Sequence, residues 1–169
     1  MCILAFSILI NYSLGLSKPV VSSVRELKTA FLYQFTKYVT WPKVKKNRKK
    51  LYIGIAADPE MMDAVLRLDG RLSQGKTIVV VPLEESSDLE NLDVLYLGES
   101  YFADDIVDKA IKNHILTVSD AEDAPKKGII IGLYMKESRL RFDINLKVAN
   151  KSDLRLSSRL LKLAGNLIK

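Results

Sequence analysis

The sequence predicts an α/β protein with a largely parallel sheet of about five or six strands, helices on both faces, and a C-terminal β-hairpin plus helix. Three observations lead to this prediction. Short apolar runs alternate along the chain with segments whose apolar residues recur at helical spacing. Several runs, such as 77–83, are wholly apolar, which is typical of parallel strands buried on both faces. Near the C-terminus, the runs 128–136 and 140–148 are separated by a tight connection at Glu137 and Ser138, which indicates an antiparallel hairpin at one edge of the sheet.

The first 17 residues, MCILAFSILINYSLGLS, predict a secretory signal peptide, because they carry no acidic or basic side chain and include an apolar stretch from Cys2 to Ile10. That stretch is too short for a transmembrane helix, which needs roughly 20 residues. A buried N-terminal strand or helix is the alternative. We therefore expect a signal peptide at 1–17 and a single domain at 18–169, which carries the whole net charge of +6. Without Cys2, disulfides and cysteine-based catalysis or metal binding are excluded.

The first helix of the domain is predicted from a capping box at Ser23 and Glu26. Trp41 and Pro42 end this helix, because proline disfavours helical geometry in the residue before it. The expected buried face consists of apolar residues at positions i, i+3 and i+4, namely Leu27, Ala30, Phe31, Phe35 and Tyr38.

Residues 51 to 119 predict four strands and two helices. Asp58 and Pro59 have the residue types favoured at the N-cap and first position of a helix, which we expect to run to about Leu68. Ser100 is expected to cap a second helix, ending near Asn113. The strands are expected at 51–56, 77–83, 93–98 and 115–119.

After the hairpin, the alternating run 140–148 predicts a strand, and residues from Leu154 onward predict a final amphipathic helix. Asn145 faces away from the apolar side of the strand. If that side is also covered, Asn145 needs hydrogen-bond partners. A solvated face at the sheet edge is the alternative.

A nucleotide-binding pattern, G-x-x-x-x-G-K-[ST], is matched by Gly70, Gly75, Lys76 and Thr77. A phosphate-binding loop must leave a strand and enter a helix, so that backbone N–H groups at the helix N-terminus point at the phosphate. Here the segment is expected to leave a helix and enter a strand. We therefore interpret the match as a decoy and predict no nucleotide site.

No other pattern predicts catalysis. His114 is the only histidine, so a zinc site of the usual kind is unsupported, and a favourable interaction with a helix C-terminus is the simpler interpretation. Asp104, Asp105 and Asp108 are expected on the solvent side of one helix. The sequence contains no nucleophile elbow and no dinucleotide fingerprint. We expect no catalytic residue, no metal and no cofactor.

A basic segment follows Pro42, with six basic residues between positions 43 and 50. One interpretation is a solvated loop. The other is contact with anionic lipid headgroups or with an acidic partner surface, through Lys45, Lys46, Arg48 and Lys49. Nucleic acid is a poor partner for an exported protein.

Two segments of the chain, 27–42 and 141–164, resemble the signature ends of the YfiR/HmsC family. The first is an aromatic-rich helix that ends in Trp-Pro, and the second is a strand and helix with the pattern Phe-x-Ile-Asn-Leu … Ser-Ser … Leu-Leu-x-Leu-Ala. The residues that carry the resemblance, with structural or partner-binding roles, are Phe31, Phe35, Trp41, Pro42, Phe142, Asn145, Ser157, Ser158, Leu160 and Leu161.

The resemblance implies a small periplasmic α/β protein that is not an enzyme. It implies a homodimer that binds the periplasmic sensor region of a membrane-anchored diguanylate cyclase, represses it, and so lowers cyclic-di-GMP and biofilm formation. Redox control through disulfides, which the family also implies, does not fit a mature chain without cysteine. The alternatives are regulation of a sensor histidine kinase, and periplasmic binding of a small ligand in the crevice at the carboxyl ends of the parallel strands.

Overall fold

The computed structural model of the chain describes residues 20–84, 88–101 and 104–169. The predicted signal peptide at 1–17 lies outside the described residues. The helices found in the described part are α1 Val20–Tyr38, α2 Lys43–Lys46, α3 Pro59–Leu66, α4 Asp104–Lys112, α5 Leu146–Lys151 and α6 Ser158–Leu163. The strands found there are β1 Val39–Thr40, β2 Lys50–Ala56, β3 Leu72–Ser73, β4 Lys76–Pro82, β5 Val94–Leu97, β6 Leu116–Ser119, β7 Ile131–Lys136, β8 Arg139–Asn145, β9 Arg155–Leu156 and β10 Leu167–Ile168.

The main sheet has eight strands in the order β10-β8-β7-β6-β5-β2-β4-β3. Its centre, from β4 to β7, is entirely parallel. Strands β7 and β8 form the predicted antiparallel hairpin, whose turn residues Glu137 and Ser138 both have positive φ, 49° and 59°. Two positive φ values are typical of a type I′ turn. The largely parallel sheet with a C-terminal hairpin is therefore confirmed, with short edge strands, β3 and β10, beyond the predicted ones.

Helices cover both faces of the sheet, as predicted. Along β5, Tyr96 belongs to one apolar core and Leu97 to a second, because successive side chains of a strand point to opposite faces. Helices α1, α3 and α6 contribute to the first core through Phe35, Val65 and Leu160. Helix α4 contributes to the second core through Val107 and Ala110.

The N-terminal ends of three helices agree only in part with the prediction. Asp58 caps α3 as predicted, and its Oδ1 accepts a hydrogen bond from the backbone N–H of Met61 at 3.0 Å. The chain is already helical at Val20, the first described residue, so the prediction that α1 begins at Ser23 is wrong. Ser100 lies in the 3₁₀ turn Glu99–Tyr101, and α4 begins at Asp104, so the predicted cap at Ser100 is also wrong.

Strand β4 is less buried than predicted. Ile78 and Val80 are buried, whereas the alternate residues Val79 and Val81 are half-buried. Val79 and Val81 share one face of β4, which is therefore only partly covered.

The C-terminal region differs most from the prediction. Strand β8 ends at Asn145, and the residues from Leu146 form α5, because the Asn145 side chain caps that helix instead of continuing the strand. The final helix is only the six residues of α6, and short strands precede and follow it. Asp153 has a positive φ of 54°, so the helical conformation does not continue through this residue. Ser157 then caps the start of α6. The long amphipathic helix expected from Leu154 is therefore wrong.

Candidate functional site

The glycine-lysine segment lies between α3 and β4, as the sequence predicted. Gln74 and Gly75 have positive φ, 50° and 75°, and form the tight turn that joins β3 to β4. The Lys76 ammonium donates a hydrogen bond to the backbone carbonyl oxygen of Lys45 at 2.8 Å. The N–H of Thr77 donates to the carbonyl oxygen of Lys49 at 3.0 Å. The Lys76 ammonium and the Thr77 N–H therefore bond to the backbone of the protein itself. The strand-to-helix geometry of a phosphate-binding loop does not exist at Gly70–Thr77.

Three signature aromatic residues form one cluster in the first core. Phe31 and Phe35 extend from α1 and meet Phe142 of β8, with ring centroids 5.2–6.0 Å apart in edge-to-face arrangements. Phe35 and Phe142 are buried. Such pairs add about 0.5–1.5 kcal/mol each beyond the burial of their area. The cluster therefore joins the two signature segments by packing.

The Trp41-Pro42 signature also has a structural role. The indole Nε1 of Trp41 donates a hydrogen bond to the backbone carbonyl oxygen of Asp93 at 2.9 Å, and the Trp41 ring is buried. Pro42 directly precedes α2. This contact joins the segment after α1 to the start of β5.

The polar signature residues of the C-terminal segment act as helix caps. Asn145 is buried, accepts a hydrogen bond from the N–H of Val148 at 3.0 Å, and donates one to the carbonyl oxygen of Pro125 at 2.7 Å. These are the partners that a covered Asn145 was expected to need. Ser157 accepts from the N–H of Leu160 at 3.2 Å. Leu160 is buried, Leu161 is half-buried against the first core, and Ser158 is exposed.

The basic segment divides into buried and exposed side chains. Lys45 is only 3% exposed, and its ammonium donates to the backbone carbonyl oxygen of Leu92. The expectation that Lys45 contacts lipid or a partner is therefore wrong, because its charged group lies inside the protein. Arg48 is half-buried and donates to the carbonyl oxygen of Asn91 at 3.0 Å. Lys49 is exposed, and the Lys46 side chain lies outside the described part of the chain.

Lys45 and Asp93 are two buried charged side chains near each other, and the sequence did not predict their burial. Burial lowers the pKa of Lys45 to about 8, although the nearby negative charge of Asp93 acts in the opposite direction. Burial likewise raises the pKa of Asp93, against the hydrogen bond that its Oδ2 accepts from the N–H of Tyr52 at 2.9 Å. The only sequence signal was Asp93 at the start of an apolar strand, which is not specific.

The two signature ends also line an open cleft of about 500 Å³. Strand β1 pairs with β9, and this pairing places the residues after α1 beside those after α5. The lining residues are Thr40, Trp41, Pro42, Lys43, Asn150, Asp153, Leu154 and Arg155. The cleft is therefore a surface feature that is lined mainly by residues of the two signature segments.

A second candidate site is a crevice of about 220 Å³, here called the carboxyl-end crevice, at the carboxyl ends of β2, β5 and β6. The chain first winds from β2 outward to β4 and then continues on the other side of β2 with β5, so the winding direction reverses between β2 and β5. Ligands of open α/β sheets bind at such reversals. The lining residues are Ala57, Asp58, Met61, Tyr96, Gly98, Glu99, Ser100, Tyr101 and Asp120.

The carboxyl-end crevice contains a group of buried polar side chains. The Lys28 ammonium donates to Oδ2 of Asp120. The Tyr96 hydroxyl is buried beside the same carboxylate and donates toward it. Burial, the negative charge of Asp120 and this hydrogen bond raise the pKa of Tyr96, so its hydroxyl stays neutral. Within the described ranges, no group of three or more His, Cys, Asp or Glu side chains has the arrangement of a metal site.

Comparison with known proteins shows the family. The profile of the YfiR/HmsC-like family matches residues 25–165. A crystal structure of a conserved domain protein from Vibrio cholerae O1 biovar El Tor is similar in fold, with a TM-score of 0.57 and 15% identity over 85% of this chain. This chain spans 60% of that protein, and at this identity the similarity shows the fold alone. No curated protein matches the sequence.

Proteins of this family are in general periplasmic regulators that act with a membrane signalling partner, and the family is not a known enzyme family. None of the helices in the described residues is long and apolar enough to cross a membrane. The family match includes both signature segments, whose residues make the aromatic cluster and the helix caps. The chain therefore belongs to the YfiR/HmsC-like family.

Proposed function

We propose that this protein is a non-enzymatic periplasmic regulator that binds the periplasmic sensor region of a membrane-anchored diguanylate cyclase and holds the cyclase inactive. The observation that carries the proposal is the family match across residues 25–165, together with the packing of both signature ends into one fold. By lowering cyclic-di-GMP, such repression decreases biofilm formation. Export through a signal peptide at residues 1–17 is part of the proposal.

The proposed docking surface is the cleft between the two signature ends. Beside it, on α2, Val44 is 74% exposed and adds apolar surface next to the cleft. Lys43 and Arg155, both exposed, stand at the cleft. An apolar residue bordered by charged ones is typical of a protein interface with a polar rim. The two basic residues fit an acidic surface on the partner.

The test uses a charge-reversal variant of the cleft, Lys43→Glu with Arg155→Glu. The purified protein is immobilised and used to capture membrane proteins solubilised in detergent, and cyclic-di-GMP is measured in cells that express the same variants. We expect the wild type to recover a membrane protein with a cyclase domain, and the variant to recover less and to leave cyclic-di-GMP high. The matched control is Lys112→Glu with Lys136→Glu, two exposed lysines that do not line the cleft.

The outcomes of this test distinguish the proposed docking surface from the proposed regulatory function. Equal recovery by the cleft variant and the control contradicts the docking surface. Recovery of no membrane signalling protein by the wild type contradicts the regulatory function, and recovery of a sensor histidine kinase supports the alternative regulator. We also propose a homodimer, which sedimentation velocity would reveal as a mass of about twice the chain's 19.0 kDa.

Peripheral contact with anionic lipid is proposed for two residues of the basic segment, the exposed Lys49 and the half-buried Arg48. Each basic residue near an anionic surface contributes about 1 kcal/mol, and salt screens the attraction. Lys49→Glu should therefore decrease co-sedimentation with phosphatidylglycerol vesicles at low salt, compared with Lys112→Glu. If both variants sediment with vesicles as the wild type does, the basic segment has no lipid role.

Binding of a small ligand is favoured by a separate observation, the position of the carboxyl-end crevice at the point where the winding direction of the sheet reverses. This activity is compatible with regulation, since a ligand could act on a binding protein that has a separate docking surface.

A further inference from the structure

Helix α1 is held to the rest of the protein by different forces along its length. From Phe31 onward its side chains pack in the first core, where Leu32 and Phe35 are buried. Residues 24–30, here called the strap, contribute no side chain to either apolar core of the described chain. Leu27, the largest apolar residue of the strap, is 42% exposed. The strap therefore gains little stability from apolar burial.

Two ion pairs join the strap to the carboxyl-end crevice. The Lys28 ammonium donates to Oδ2 of Asp120, and both side chains are largely buried, with 19% and 21% exposed. The Arg25 guanidinium lies 3.8 Å from the carboxylate of Asp58. Asp58 and Asp120 both line the crevice. The basic side chains of the strap are therefore the internal counter-charges of this acidic wall.

Further ion pairs connect the strap to α3. The Arg25 guanidinium lies 3.7 Å from the carboxylate of Glu60, and Glu26 lies 3.6 Å from the guanidinium of Arg67. Glu60 and Arg67 are well exposed. Exposed ion pairs contribute little to stability, and dissolved salt screens them. The largely buried pair of Lys28 with Asp120 is therefore the main attachment of the strap.

Thr29 acts against this attachment. It is 8% exposed, and its hydroxyl has no hydrogen-bond partner among the described residues. Burial of an unpaired hydroxyl is unfavourable, because the group loses its hydrogen bonds to water. Water can hydrate this hydroxyl when the strap moves away. The unpaired hydroxyl therefore favours release of the strap, whereas the ion pairs favour its attachment.

We propose that residues 24–30 form a releasable strap, which stays attached while its ion pairs with Asp58 and Asp120 are intact and detaches before the rest of α1 when these pairs are weakened. Detachment uncovers the two carboxylates and widens the carboxyl-end crevice. The hinge lies at Phe31, where the core contacts of α1 begin. This conformational change does not depend on the identity of the membrane partner.

Hydrogen–deuterium exchange with mass spectrometry tests the proposal, because a helical end without tertiary support frays. The exchange of residues 24–30 is compared with that of residues 31–38 at about 50 mM and about 500 mM NaCl. We expect faster exchange in the strap, and a further increase of about tenfold at the higher salt concentration. Residues 31–38 should change by less than about twofold. In the wild type, the same increase in salt should raise the labelling of the Asp120 carboxylate by a carbodiimide.

Three variants separate the contributions. Lys28→Met keeps the length of the side chain and removes its charge, so exchange of the strap should increase about tenfold at low salt. Thr29→Val removes the unpaired hydroxyl and keeps the shape of the side chain, so exchange of the strap should become slower. The matched control is Lys37→Met, at an exposed lysine in the second half of α1, which should leave exchange of the strap unchanged.

Four results would overturn the proposal. Equal exchange in the two halves of α1 would show that the strap does not detach separately. Exchange of the strap that is unchanged by salt and by Lys28→Met would show that the ion pairs do not hold it. An equal acceleration of both halves in Lys28→Met would mean that α1 opens as a unit, and constant labelling of Asp120 would mean that the crevice is not uncovered. Because these measurements involve no membrane protein, their failure is distinguishable from failure of the proposed regulatory function.

Discussion

The indole nitrogen of Trp41 and the backbone carbonyl oxygen of Asp93 are joined by a hydrogen bond of 2.9 Å. The same carbonyl oxygen accepts from the N–H of Leu116 at 2.9 Å, so one peptide group connects the Trp-Pro signature to both β5 and β6. Next to it, the buried Lys45 donates to the carbonyl oxygen of Leu92. The amino ends of the parallel strands are therefore connected by side chains from the segment after α1.

Replacing Trp41 with phenylalanine tests this connection. Trp41→Phe keeps an aromatic ring but loses the indole N–H, so we expect the free energy of unfolding to fall by about 1–2 kcal/mol. Urea denaturation measures the change. Tyr101→Phe, at an exposed position, serves as the control and should change stability by less than about 0.5 kcal/mol. Equal stability of Trp41→Phe and the wild type would show that the contact contributes nothing.

A substitution at Asn145 tests how much the cap of α5 contributes to stability. Asn145→Ala removes the cap of α5 and the hydrogen bond to Pro125, both of which are buried, and should lower the free energy of unfolding by about 2–4 kcal/mol. The matched control is Asn150→Ala, an exposed asparagine on the same helix, with an expected change near zero. Similar effects of the two variants would contradict the specific role of Asn145.

Tyr96 and Tyr33 give a pair of variants that differ in the expected size of their effect. Tyr96→Phe removes a buried hydroxyl that interacts with the Asp120 carboxylate, so it should lower the free energy of unfolding by about 1.5–3 kcal/mol. Tyr33→Phe removes an exposed hydroxyl that donates to the Leu72 carbonyl oxygen at 2.8 Å, and it should lower the free energy of unfolding by less than about 0.5 kcal/mol. Thermal and urea denaturation of both variants check the sizes. A gain of stability in Tyr96→Phe would mean that its hydroxyl has no partner in the free protein.

The lowered pKa of Lys45 predicts that the stability of the protein depends on pH. Its pKa is about 8 in the folded protein and 10.5 as the ordinary value, so between these pH values the unfolded chain binds more protons than the folded one. The free energy of unfolding therefore increases as the pH rises from 8 to 10.5. The increase is lost as the pH falls back to 8 and below. Its size is up to about 3 kcal/mol, as an order of magnitude.

The measurement compares the wild type with Lys45→Met by urea denaturation at several pH values. We expect the difference in unfolding free energy to shift in favour of the wild type between pH 8 and 10.5, and to be flat from pH 6 to 7.5. Lys43→Met, at an exposed position, should follow the wild type. Parallel curves for the wild type and Lys45→Met would contradict the lowered pKa.

Local signals made much of the fold predictable. Asp58 and Pro59 define the start of α3, because capping depends on neighbouring residues only. The tight Glu137-Ser138 connection is likewise local. The reversed order of the glycine-lysine segment, from helix to strand, follows from the apolar run that begins at Thr77. In each case a few adjacent residues were sufficient.

The errors concern residues whose environment is formed by distant parts of the chain. Lys45 belongs to a basic run that indicates a solvated loop, and its burial depends on carbonyl and carboxylate groups at Leu92 and Asp93. Asn145 ends a strand because its side chain caps a helix, which alternation alone does not show. The carboxyl-end crevice was foreseen as a region, but Tyr96, Asp120 and Lys28 come together only in the folded chain.

The pairing of β1 with β9 has a consequence for how the protein folds. Val39 lies opposite Leu156, so a strand near the start of the described chain acquires its partner only from residues near the end. Contacts so far apart in sequence require closure of a long loop, which slows folding. A polypeptide in which residues 155–156 are not yet available would lack this closing strand, so the native domain could be completed only after both pairing segments have been made.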